Sequence, residues 1–172
     1  MIYAIPLLYR ISSLGSHISI TRLHCALQSI IMKHTILHTA LYFDSNGTII
    51  QHCLNVNTIS DSDDMKSYEF SIINLQNDKD RDIDKIINEI LNHSQLFNLS
   101  RGHVIHCHIL RHYRLNSLSL QKDDDLLIND DIILFNIHHS AFDGASTSIF
   151  LHEFSLAYES NCSLPMDDDT IQ

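Results

Sequence analysis

The chain has 172 residues, 44% of them hydrophobic and 19% charged, and its 21 acidic against 11 basic groups leave a formal charge of -10. A chain of this length builds one domain and buries roughly 70% of its unfolded surface, and no apolar run approaches the roughly 20 residues that span a bilayer. With no basic stripe to displace counterions from phosphates, neither nucleic acid nor membrane is an expected partner.

Residues 3–11 read as a strand that closes at Ser12–Gly15. This apolar start has no basic region before it, as a secretory signal would, and fits a cytoplasmic protein. Ile18, Leu23, Leu27, Ile30 and Ile31 recur at helical spacing, with Ser19 placed as N-cap and Ile18 placed to staple onto Leu23, which predicts a helix over 19–34. Residues 36–43 and 48–54 flank Asp44-Ser45-Asn46-Gly47, whose last two residues suit the positive dihedrals of a hairpin turn. A short strand near 70–74 precedes a second amphipathic helix over 79–94, with Ile83, Ile86, Ile87, Ile90 and Leu91 on one stripe.

The turn "FNLSRG" leads to a strand over 103–112, in which His106 and His108 share a face. With no third ligand evident nearby, no metal is expected there. A polar loop over 113–125 precedes apolar residues 126–139, a central strand that can form as two pieces, and a last helix starts just past Gly144. The acidic runs at 61–64, 123–125, 130–131 and 167–169 read as solvated loops. Cys25, Cys53, Cys107 and Cys162 are widely spaced, form no C-x-x-C pair and read as reduced thiols. Strands interleave with helices, yet hairpins occur among them. The expected class is therefore α/β (α+β), a mixed β-sheet covered by helices on one side, in one unit.

The stretch "ILFNIHHSAFDGAS" is where chemistry concentrates. Strand alternation sets His139 with Ile133, Phe135 and Ile137, and His138 with Ile132, Leu134 and Asn136, so the two rings point opposite ways. A helix starting near Gly144 would bring free backbone N–H groups and a partial positive charge to the end of that strand. There a developing acyl oxyanion would be stabilised, and Gly144 would let a ligand approach the backbone. Read without further context, the same residues suit a structural role better than acyl-transfer chemistry, with metal binding a third and weaker reading.

"HHSAFDG" matches the H-H-x-x-x-D-G signature of the condensation domains of nonribosomal peptide synthetases, a branch of the chloramphenicol acetyltransferase-like fold. "YAIPLLYRI" resembles the family's early strand. "ISITRLHCALQSIIMKHTILHTAL" resembles its first helix and R-H-E-x-L-R-T segment, "FNLSRG" resembles its F-D-L turn, and Ser163–Pro165 its Leu-Pro. The resemblance implies amide formation between thioesters carried on the phosphopantetheine arms of carrier proteins, with no intrinsically bound cofactor. It assigns the reacting centre to His139 and support to His138, Asp143 and Gly144, with Asp143 paired to a cation.

The chain departs from the pattern at Thr35, in place of the acidic residue, at His38, in place of the second arginine, and at Asn98 and His103 in the turn. Asp143 then lacks its usual partner, which His38, Arg10 or a residue beyond this chain could replace. The family's opening segment and second half have no counterpart, so residues 1–172 are expected to be an N-terminal subdomain truncated at both ends, inactive without the rest of a synthetase. Alternatives are a non-catalytic docking module for carrier proteins, a coenzyme A-dependent acyltransferase and an epimerisation domain.

Overall fold

The structure, a computed structural model, describes residues 3–12, 18–55, 67–75, 83–112, 125–162 and 164. Its main sheet runs in the order β1 (Ala4–Arg10), β8 (Ile132–His138), β6 (Ile105–Arg111) and β5 (Tyr68–Asn74). β8 pairs antiparallel with β1 and with β6, while β5 and β6 run parallel, so the sheet is mixed. The antiparallel β1 and β8 register sets Ala4 against His138 and Arg10 against Ile132, which puts Arg10 and the motif at opposite ends of the strand. β2 (Ile18–Ser19) pairs with β7 (Leu126–Leu127), and β3 (Thr39–Phe43) pairs with β4 (Ile49–Cys53) as a separate hairpin.

β8 shows why helices cover both faces of the sheet rather than the one face expected from the sequence. Ile133, Phe135 and Ile137 join a core with Leu23, Leu27, Ile30, Ile31 and Phe150 from α1 (Ile20–Lys33) and α3 (Ser146–Glu159). The alternate residues Ile132 and Leu134 pack with Leu75 and Leu110 under Ile83, Ile86, Ile87 and Ile90 of α2 (Ile83–Leu91). An α2 stripe of four isoleucines cannot stay in water, and the second apolar face of β8 and β6 is what it buries against.

Local signals account for much of the rest. Ser19 is the N-cap of α1, its Oγ accepting from the Arg22 N–H at 3.1 Å. The hairpin turn is built on Asp44, whose Oδ1 accepts from the N–H groups of Asn46 and Thr48, each at 2.8 Å. Gly47, at φ 77°, has a positive φ in this turn and Asn46 does not. Residues Thr35–His38 form a 3-10 turn rather than the start of β3, and the strand begins at Thr39. The thiols expected to be reduced are partly otherwise: Cys25 on α1 and Cys162 after α3 form a disulfide with Cα atoms 5.7 Å apart, while Cys53 and Cys107 are free. The two cysteines meet because α1 packs on α3, a contact their spacing in the chain does not reveal. Residues 13–15, 79–82 and 113–124, the acidic runs at 61–64 and 167–169, and Ser163 and Pro165 lie outside the described residues. No helix among the described residues is long and apolar enough to cross a membrane.

Candidate active site at the end of β8

β8 ends at His138, and His139 is held by the edge of β1 through its N–H, which donates to the Tyr3 carbonyl at 2.8 Å. The next residues turn back on themselves. The Nδ1 of His139 lies 2.8 Å from the Phe142 carbonyl oxygen, a contact in which the ring nitrogen donates, and that tautomer leaves Nε2 as an acceptor. The His139 side chain is exposed. Phe142 points its ring the other way and is buried edge-on against Phe150 at 5.8 Å. One residue therefore anchors the loop to the core with its ring and orients His139 with its backbone.

His138 has a different environment. Its Nδ1 meets the Ser140 Oγ at 2.8 Å and accepts from the Ser140 N–H at 3.1 Å, and its ring stands edge-on to Phe97 at 5.2 Å. Burial, and then the neighbouring charge of His139, hold its pKa below the usual value. Phe97 comes from the "FNLSRG" turn, which Asn98 and His103 close with a reciprocal backbone pair at 3.1 and 2.9 Å. Neither side chain takes part in that pair, so the two departures from the family pattern leave the turn intact. The same turn needs its glycine: Gly102 has φ 70°, and a Cβ there would stand 2.8 Å from the Leu54 Cδ1.

Among the described residues Asp143 has no lysine or arginine partner. Its Oδ1 accepts from the Ser146 N–H at 2.8 Å and the Ser146 Oγ at 2.6 Å, fixing the turn into α3. These bonds hold its carboxyl below the usual carboxylate range. His38 is buried with its Nδ1 on the Leu54 carbonyl at 3.0 Å, and Arg10 sits at the far end of β1, so neither replaces the family's arginine. The N–H of Ser146, at the helix start, is thus taken by a carboxylate and is not open to an acyl oxygen. A Cβ added at Gly144 would meet nothing within 4 Å, so the space beside it is open.

Further support was not legible in the sequence. Glu153 on α3 binds Lys33 at 2.8 Å and also contacts the His34 Nε2, tying the end of α1 to α3 about two turns into that helix. The Asp143-to-Ser146 spacing, by contrast, is a short-range side-chain-to-backbone turn signal that was there to be read. Beneath the loop, a cavity of about 160 Å³ is lined mainly by Ile36, Leu37, Ala141, Phe142, Ile149 and Phe150. A second, of about 200 Å³, shares Ile36 and Ala141 with it. His106 and His108 do share a face of β6, and no group of three or more metal-ligating side chains occurs among the described residues.

The chain belongs to the Condensation domain family, whose profile matches residues 9–168. It is similar to the hybrid PKS-NRPS synthetase LUC5 of Fusarium sp, with 26% identity over 165 residues, 96% of this chain and 3% of that protein. Among solved structures it resembles the epimerization domain from the third module of tyrocidine synthetase B, with TM-score 0.65, 19% identity and coverage of 98% of this chain and 33% of that one. It also resembles the starter condensation domain of rhizomide synthetase RzmA, with TM-score 0.63, 14% identity and coverage of 94% and 32%. The mixed sheet with its helices is the chloramphenicol acetyltransferase-like arrangement that these neighbours share. The chain spans about a third of the length of the solved structures it matches.

Proposed function

We propose that this chain supplies the histidine-bearing portion of a condensation domain, in which an amine carried on one phosphopantetheine arm attacks a thioester carried on another. The observation that carries the proposal is the 2.8 Å contact of the His139 Nδ1 with the Phe142 carbonyl, which presents Nε2 of an exposed ring as an acceptor. In the reaction the amine lone pair forms the C–N bond at the thioester carbonyl. Nε2 takes the amine proton, and the tetrahedral intermediate collapses with loss of the thiolate, which regains a proton. A positioned base contributes about 10² to 10⁴ in rate. A neutral amine and a thioester need little activation, so holding them in line supplies much of the remainder.

The other motif residues serve the loop. His138 braces it through Ser140 and Phe97, and Asp143 holds the turn into α3 through Ser146. Gly144 leaves open space for a pantetheine arm. The partners on this reading are carrier proteins and the rest of a synthetase. No metal takes part, and the substrates arrive on arms covalently attached to the carriers, so the domain holds no cofactor of its own.

The test uses the intact synthetase with loaded carrier proteins. His139→Ala should lower dipeptidyl-thioester formation by about 10² to 10⁴ while carrier binding persists. Unchanged turnover would remove His139 from the chemistry.

A further inference from the structure

The α2 face of the sheet carries a polar row that the condensation site does not use. In register across the strands lie Asn136 of β8, His106 of β6 and Glu69 of β5, with His108 and Ser71 two residues further along. Asn136, His106 and His108 are 0%, 4% and 6% exposed. The His106 Nδ1 meets Glu69 at 3.1 Å, the His108 Nδ1 meets the Ser71 Oγ at 2.7 Å, and the two rings stack with centroids 6.2 Å apart. Among the described residues, both Nε2 atoms and both amide atoms of Asn136 have no hydrogen-bond partner. Buried polar atoms in that state cost free energy, and His108, whose ring lines a cavity with its Nε2 unpaired, points to a ligand there.

The cavity lies between β5 and the end of α2 and has a volume of about 500 Å³. That is within the range of small-molecule sites, roughly 300 to 1,000 Å³. Its walls hold two carboxylates, Glu69 and Glu89, and His108. Neither carboxylate has a lysine or arginine partner among the described residues, and Glu69 faces His106 and His108. Burial pushes the pKa of His106 down to about 4 and lowers that of His108, so at neutral pH neither ring offsets the carboxylates. A negative, acceptor-rich cavity with Ile73, Ile90 and Leu96 beside the polar groups suits a cation on a short apolar stem.

We propose that the cavity walled by Glu69, Ser71, Glu89, His93, Gln95 and His108 binds an organic ammonium ligand. Its head group donates to Glu69, Glu89 and the free nitrogen of His108, and its stem packs on Ile90 and Leu96. The site is on the sheet face opposite α1 and α3 and stands independently of the assignment of His139.

The test titrates the 172-residue chain with cadaverine, following the histidine Cε1–H resonances, and repeats the titration with pentanoate as an anion of similar stem. Saturable cadaverine binding that shifts His106 and His108, with none for pentanoate, is expected. Glu69→Gln combined with Glu89→Gln should weaken it by about ten-fold or more, equivalent to about 1.4 kcal/mol. Both glutamates are exposed, so these substitutions leave the fold in place. Glu159→Gln, at the end of α3, removes a charge elsewhere and should leave binding unchanged. Absence of saturable binding, equal binding of pentanoate, or indifference to the double substitution would each overturn the proposal.

Discussion

The carboxylate of Asp143 and the hydroxyl of Ser146 lie 2.6 Å apart, and the same oxygen holds the Ser146 N–H, so the motif aspartate ties down the turn that leads into α3. Asp143→Ala should lower the urea midpoint, with Asp143→Asn recovering most of the loss. In the intact synthetase the turnover of the folded fraction should change little. A normally stable Asp143→Ala protein without activity would instead place the carboxylate in the chemistry.

Glu153 joins α1 to α3 through Lys33 and His34. Burial pushes its carboxyl up, and the bonds from the two bases outweigh that, leaving it below its usual value. A carboxyl depressed in the folded state adds stability that is present above the unfolded value and is lost as pH falls through the folded one. The latch should therefore weaken from about pH 4.5 downward. Glu153→Gln should cost about 1–2 kcal/mol at pH 7, the scale of hydrogen bonds to a charged group, and should flatten the stability profile below pH 4.5. Parallel acid-unfolding curves for the two proteins would refute the latch.

The disulfide closes a loop of 137 residues. Constraint of the unfolded chain by so long a loop is worth about 2–5 kcal/mol. Unfolding in urea with and without a phosphine reductant should show a midpoint shift of that origin, and Cys25→Ser should abolish the reductant's effect. A reductant-insensitive parent protein would mean that the thiols are free in solution.

Phe135, 2% exposed, stacks edge-on against Tyr9, Phe150 and Phe154 from β1 and α3. Phe135→Ala should cost about 3–5 kcal/mol by loss of contact and the cavity left behind, and Phe135→Leu distinctly less. Calorimetry of the two variants separates a packed core from a loose one, in which both would cost alike.

What the sequence determined by itself is local. The Ser19 cap, the α2 stripe, the apolar strand ending in His138 and His139 and the pairing of residues 39–53 as a hairpin all follow from spacing within a few residues, because 3.6- and 2-residue periods set which side chains share a face. The motif itself was also legible, down to the opposite directions of the two histidines. Only the tertiary structure decided what each face meets. It put helices on both sides of the sheet and joined Cys25 to Cys162. It set Glu153 against Lys33 and His34, and Phe97 against His138. A side chain's own period says that it must be buried or satisfied. Its partner, 40 to 140 residues away in these cases, is chosen by how the layers pack.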